Sequence, residues 1–197
     1  MPIFSTVGDA LTIGPNFDGV LAAAQAGAEW AFDILYRELN PRLLRYFRSQ
    51  AHGAAEDLAS ETWMGAARNL GGFAGGEEEF RAWLFKIGYR RLVQYWRDRG
   101  RDRSTPMDPY SIPDLVAPLS MEDAVVDADA LSAAARRITG LLTADQAQVI
   151  MLRVVGGLSV NQVAEVLGKR PGTVRVVQHK ALKKLAGQNF SVEEVTQ

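Results

Sequence analysis

The sequence predicts an all-α chain in two small helical domains joined by a flexible linker, and three observations predict it. Apolar residues recur at helical spacing on both sides of the chain's centre, and strand-like alternation is nowhere sustained. Pro106, Pro109, Pro113 and Pro118 fall within one stretch, a spacing that no continuous helix tolerates. Charge is also partitioned. Residues 80–103 hold 8 basic and 2 acidic groups, residues 136–187 hold 9 and 2, and residues 104–135 between them hold 6 acidic groups and no basic one. Two basic blocks separated by an acidic stretch suggest two surfaces for a polyanion. Solvated helix faces are the plainer reading of either block alone.

The elements follow in order. Residues 1–16, with Gly8, Gly14 and Pro15, read as a flexible arm. From Phe17 the chain turns Ala-rich and helical. Trp30, Ile34, Leu35 and Leu39 lie at helical spacing, and Asn40–Pro41 predicts a break or a restart. Leu43, Leu44 and Phe47 continue an apolar face, with Arg42, Arg45 and Arg48 outside it. A third helix is expected from Ala55 to Leu70, with Glu56 and Asp57 at the positive end of its dipole. Gly71 to Gly76 reads as a flexible loop carrying Phe73. A fourth helix begins near Glu77 and ends in a basic tail at Arg103. The first domain is thus residues 17–103, the Pro-rich acidic linker 104–120, the second domain 121–187 and the tail 188–197.

Composition excludes much chemistry. The 197 residues include no cysteine and only two histidines, His52 and His179. Disulfides, thiolate nucleophiles, Cys-ligated zinc and paired-histidine metal motifs are therefore ruled out. No metal or cofactor is expected. No P-loop and no G-x-S-x-G occurs, which argues against an enzyme. No apolar run approaches the ~18 residues that membrane insertion requires. Met1 to Pro15 lacks the basic start of a secretory leader, so a cytoplasmic location is expected.

The segment Leu158 to Leu185 carries the most information. Ser159 and Gln162 form a capping box. Val160, Val163, Ala164 and Leu167 make one buried stripe, Gly168 suits a left-handed cap, and Pro171 suits the first turn of the next helix. In that helix Val174, Val177, Ala181 and Leu185 face inward, with Arg175, Val176, His179, Lys180 and Lys183 opposite. Two short helices about a glycine turn, the second with a basic outer face, describe a helix-turn-helix that can enter a major groove. Thr173 and Arg175 are best placed for base edges. Arg170, Lys180, Lys183 and Lys184 suit phosphates. An ordinary helical hairpin is the competing account, and His179 alone reads as a solvated surface residue.

These residues resemble region 4 of bacterial sigma factors. Leu142-Thr143, Val149, Leu152-Arg153, Gly157-Leu158-Ser159, Val163-Ala164, Leu167-Gly168 and Gly172-Thr173-Val174-Arg175 follow its order and spacing. The first half resembles region 2 of the extracytoplasmic-function (ECF) group of the sigma-70 family. Glu56-Asp57-Leu58 with Glu61-Thr62, then Phe80-Arg81-Ala82-Trp83-Leu84 and Ile87, carry that likeness. The resemblance spans roughly residues 20–187, and the two-domain layout is the group's own.

What it implies is a factor that binds core RNA polymerase and selects promoters. Asp57, Leu58, Glu61 and Thr62 would dock on the polymerase clamp coiled coil. The second domain would touch the polymerase flap and read the minus-35 element through Arg170, Thr173, Arg175, Val176, His179, Lys180 and Lys183. The first would open minus-10 DNA through Phe73, Arg81, Lys86, Tyr89, Arg90, Arg91, Tyr95 and Arg97. An anti-sigma protein is a common partner in the group.

The residues agree on chemistry, because aromatics among cations suit an unpaired strand. Trp83 reads as core instead. Arg90 and Gln94 stand where the family usually carries Asn and Asp. The run Glu77-Glu78-Glu79 is unfavourable beside phosphates. The alternatives are a helix-turn-helix regulator that binds duplex DNA without polymerase, and a module that regulates sigma factors.

Overall fold

The computed structural model describes residues 13–101 and 130–193, and every regular element among them is helical. The predicted linker and most of the predicted arm lie outside the described residues. The helices are α1 (Phe17–Gln25), α2 (Glu29–Gln50), α3 (Ala55–Asn69), α4 (Glu77–Arg101), α5 (Ala130–Gly140), α6 (Ala144–Val154), α7 (Val160–Leu167) and α8 (Pro171–Glu193). Helix α8 continues beyond residue 187, where the second domain was expected to end.

Helices α1 to α4 form the first unit. Leu35, Leu39, Leu43 and Phe47 recur along one face of α2 and are almost wholly buried. They meet Leu58, Trp63 and Ala66 of α3, and Phe80, Leu84, Phe85 and Leu92 of α4. Each buried large side chain stabilises by about 1.5–3 kcal/mol. Helix α4 comes near α2 at Gly88, where a Cβ would stand 3.1 Å from Phe47 Cζ and 3.3 Å from Leu43 Cδ1.

Three sequence expectations change here. Helix α2 runs unbroken through Pro41, where a break or restart was expected. Proline removes one helical hydrogen bond to the carbonyl of Arg37. Both residues lie on the exposed face, where water can satisfy that carbonyl, while the apolar face on either side remains buried. The glycine loop is tied down rather than free. Gln25 Nε2 donates to the carbonyls of Leu70 (3.0 Å) and Phe73 (2.8 Å). The acidic run is structural in part. The Glu77 carboxylate accepts from the backbone N–H groups of Ile13 and Gly14, both at 2.9 Å, and Glu79 accepts from that of Gly76 at 3.0 Å.

Helices α5 to α8 form the second unit. Thr143 with Gln146 caps α6 and Ser159 with Gln162 caps α7, each as a complete capping box. The two units pack directly on each other. Val149, Leu152, Leu158 and Val163 belong to the same buried cluster as Tyr46, Phe80 and Phe85. A polar chain crosses this joint. The Tyr46 hydroxyl donates to Gln148 Oε1 at 2.6 Å, and Gln148 Nε2 donates to Gln50 Oε1 at 3.0 Å. Thr139 Oγ1 donates to the Ser49 carbonyl at 3.3 Å. Burial holds the Tyr46 hydroxyl well above the usual tyrosine range, which keeps it a proton donor.

Gly88→Val places two methyl groups where a single Cβ is already tight. We expect a loss of about 1–3 kcal/mol, read as a lower urea midpoint with unchanged slope. An unchanged midpoint would show that α2 and α4 separate freely at this point.

Candidate nucleic-acid interface

The second basic block is arranged as its local sequence requires. Gly168 ends α7 at φ 64° and ψ 30°, a left-handed conformation that spares an L side chain its steric cost. The Lys169 N–H returns to the Ala164 carbonyl at 2.8 Å, closing the turn. Pro171 then starts α8. Val174 and Ala181 are fully buried, and Val177 and Leu185 are half-buried. Arg170, Thr173, Arg175, Val176, His179, Lys180 and Lys183 are all exposed, and Val176 retains 54% of its surface. An apolar side chain at that position suits contact with a thymine methyl in a major groove.

The first basic block lies on α4, and the structure divides its expected contacts into two sets. Arg90 is exposed, and Arg91, Tyr95 and Arg97 are half-buried. Arg91 pairs with Glu61 at 3.7 Å, and the Arg99 guanidinium both donates to the Tyr95 hydroxyl and lies over its ring. The other set, Arg81, Lys86 and Tyr89, faces the second unit. Arg81 is 4% exposed, stands 3.9 Å from Glu77 and 3.5 Å from the Gly157 carbonyl, and its Nε has no partner. Lys86 pairs with Glu165 of α7 at 2.7 Å. Burial, and then the charge of Asp145 on α6, raise the Tyr89 hydroxyl above its ordinary range.

Phe73, also expected to meet a strand, is half-buried and packs on Phe80 and Trp83 with ring centroids 5.3 and 5.1 Å away. Trp83, expected in the core, is half-buried between those two rings.

The acidic helix expected to dock on the polymerase is α3. Asp57 and Glu61 are exposed one turn apart, so both can face one partner. Leu58 and Thr62 are buried at 4% and 0%, and the Thr62 hydroxyl donates to the Leu58 carbonyl at 2.6 Å. Those two residues position the helix rather than its outer face. Met64, 50% exposed on α3, is an apolar surface residue that periodicity did not flag. Its only sequence signal was a large apolar side chain one turn after Glu61. Among the described residues no group of acidic or histidine side chains could hold a metal ion, and no helix is long and apolar enough to cross a membrane.

Residues 35–102 match the family model for sigma-70 region 2, and residues 132–185 match that for sigma-70 region 4. The ECF RNA polymerase sigma factor SigD of Mycobacterium tuberculosis is 30% identical over 179 residues, covering 87% of this chain and 83% of that protein. The ECF RNA polymerase sigma factor BldN of Streptomyces coelicolor is 33% identical over 169 residues, covering 83% and 62%. Among solved structures, the sigma factor RpoE in complex with the anti-sigma factor NepR from Bartonella quintana is similar at a TM-score of 0.55. It is 25% identical over 83% of this chain and 98% of that one. CnrH in complex with the cytosolic domain of CnrY shares the fold at a TM-score of 0.61 and 22% identity, over 89% and 97%.

Gly168→Ala would force a Cβ into the left-handed turn between α7 and α8. The expected cost is about 1–2 kcal/mol in thermal unfolding, with helix content preserved below the transition. An unchanged melting temperature would mean that the turn relaxes to another conformation.

Proposed function

The chain belongs to the sigma-70 family, in its extracytoplasmic-function group, and from that premise we propose which surfaces perform its work. It binds core RNA polymerase and directs promoter-specific transcription initiation. In this reading it is a regulator of initiation without catalysis of its own, acting in the cytoplasm beside the polymerase. Its domains are residues 17–103 and 121–187, with 104–120 as the linker. Asp57 and Glu61 dock on the polymerase, with Leu58 and Thr62 behind them. Arg90, Arg91, Tyr95 and Arg97, with Phe73, Arg81, Lys86 and Tyr89, hold the unpaired minus-10 strand. Helix α8 reads the minus-35 duplex. An anti-sigma protein, the class of partner present with RpoE, is a further proposed partner.

One observation carries this reading. The exposed face of α8 holds every predicted minus-35 residue except Arg170, which precedes the helix and is itself exposed, while the opposite face is buried in the second unit. That geometry serves a duplex-binding regulator equally well. What favours a polymerase subunit is the second basic helix, α4, with Tyr95 and the arginines beside it. Stacking on an aromatic contributes about 1–3 kcal/mol per base, comparable to the few kcal/mol of unpairing that base. A duplex-binding regulator has no use for such a helix.

Run-off transcription with purified core polymerase on a genomic promoter library tests the whole reading. Initiation at a defined promoter set, dependent on this chain, is the expected outcome. Binding to duplex DNA alone, with no initiation by any core enzyme, would establish the regulator instead.

Two substitutions separate roles on α8. Arg175→Ala should relax preference at one or two upstream base pairs, by about 1–3 kcal/mol. Lys183→Ala should weaken all sequences alike and reduce the salt slope by about one. Equal weakening of all sequences by Arg175→Ala would make that residue a phosphate contact.

Asp57→Lys with Glu61→Lys should weaken core polymerase binding in a pull-down titration while circular dichroism is unchanged. Exposed substitutions usually shift stability by under about 0.5 kcal/mol. Undiminished core affinity would move the docking surface elsewhere.

A further inference from the structure

Two arginines from distant parts of the chain meet over the glycine turn between α6 and α7. Gly157 takes φ 64°, and a Cβ on it would stand 3.1 Å from Arg81 Nη1 and 3.4 Å from Arg42 Nη1. The guanidinium groups of α4 and α2 thus occupy space that a side chain would fill, and both lie within reach of one tetrahedral anion. A third arginine, Arg153 of α6, donates through Nη1 to the carbonyl of the next residue, Leu158. Gly157 is exposed and Arg42 is half-buried, so the turn opens to solvent.

Cations drawn out of water call for counter-charge, and the carboxylates at hand supply little of it. The Arg81 side chain is 5% exposed, and its Nη2 stands 3.9 Å from Glu77, beyond a hydrogen bond. The two Glu77 oxygens instead accept the Ile13 and Gly14 N–H groups. Arg81 Nη1 is 3.5 Å from the Gly157 carbonyl, at the outer limit of a hydrogen bond. Arg81 Nε and Arg153 Nε are buried without a partner among the described residues. A guanidinium cannot shed its proton to escape such a setting. At Arg42, burial and then the charge of Arg81 lower the pKa, Arg45 adds to the lowering, and Glu38 and Glu77 only partly oppose it.

We propose that this turn binds a small phosphate dianion, either free phosphate or the terminal phosphate of a small molecule, clamped between the Arg81 and Arg42 guanidinium groups. The planar fork of arginine matches phosphate oxygens in pairs. A terminal phosphate carries nearly two charges at neutral pH, against two guanidinium groups. A phosphodiester of DNA carries one charge and two sugar substituents. Arg42 and Arg153 belong to no DNA-contacting set proposed above, and Arg81 gains a ligand besides the strand.

The test uses the full chain at an ionic strength held constant with sodium chloride. Inorganic phosphate should bind at one site by calorimetry, and the melting temperature should rise with it and level off. Stabilisation by salt exclusion gives a rise that does not level off. Arg42→Gln should weaken phosphate binding at least about tenfold. It also removes a like charge from Arg81, so its melting temperature in chloride alone should not fall. Arg42→Lys keeps the charge without the fork and should still weaken binding. Arg68→Gln, at an exposed cation of α3, should bind phosphate as the parent does. A deoxynucleoside 5′-monophosphate should bind with the same dependence on Arg42, and a dinucleoside monophosphate, which holds only a diester, should not.

Binding that never saturates overturns the site. Undiminished affinity in Arg42→Gln or in Arg42→Lys overturns the paired clamp, and equal losses in Arg42→Gln and Arg68→Gln reduce it to a general effect of surface charge. Arg42-dependent binding of the dinucleoside as tight as that of the mononucleotide overturns the dianion and makes the turn a contact for the DNA backbone.

Discussion

A buried amide must be satisfied on both sides or expelled to water, and Gln148 imposes that condition on how the two helical units meet. Its oxygen accepts from Tyr46 and its nitrogen donates to Gln50, both on α2. Apolar packing between α2 and α6 alone would tolerate sliding, because Val149, Leu152 and their neighbours are interchangeable in kind. Two directed hydrogen bonds one turn apart on α2 tolerate almost none. With α6 so set on α2, the turn at Gly156 and Gly157 falls over Arg81 and Arg42, and α7 falls along α4. Gly157 takes φ 64°, and a Cβ there would stand 3.1 Å from the Arg81 guanidinium. The desolvated Arg42 pays for this crowding in part, since burial and then the like charge of Arg81 lower its pKa.

Helix α4 answers to several neighbours at once. One face supplies Phe80, Leu84 and Leu92 to the core of the first unit. A second carries Arg81, Lys86 and Tyr89 under the second unit. A third leaves Arg90, Gln94 and Asp98 in solvent, where Gln94 donates to Asp98 at 2.9 Å. A helix with work on so many sides cannot present a clean amphipathic pattern. Its mixture of aromatics and cations is the consequence, and it explains why composition alone could identify the helix but not sort its residues.

Legibility from sequence follows the range of the interaction. The whole of α7, its turn and the start of α8 could be read because a capping box, a left-handed glycine and a first-turn proline each act on the few residues beside them. The helical class was legible for the same reason. Pro41 misled because its local rule was outweighed by the core residues on either side, and because its orphaned carbonyl lies in water. Glu77 looked like a hazard to phosphates, yet it is held by backbone N–H groups 64 residues earlier in the chain. No local pattern encodes that. The joint is further still from view, for Tyr46 and Gln148 are 102 residues apart and neither type announces a buried hydrogen bond. Of the residues proposed to dock, Asp57 and Glu61 have a shared exposed face that could be read from their spacing. The burial of Leu58 and Thr62 depends on where α2 and α4 lie.

The electrostatics then give the packed arrangement a direction of failure. The cations of α4 lie against α7 and α3, and Lys169 lies against α6, each beside a carboxylate: Glu165 at Lys86, Glu61 at Arg91 and Asp145 at Lys169, the last at 2.8 Å. Each of these pairs is at least partly exposed, and such pairs contribute about 0–1 kcal/mol. A phosphate can therefore replace a carboxylate at Lys86 with little loss. It cannot replace the donor and acceptor that Gln148 finds on α2, because those lie out of reach of any polyanion. The charged pairs are exchangeable and the buried amide is not. Polyanion alone thus loosens the rim of the joint without releasing it.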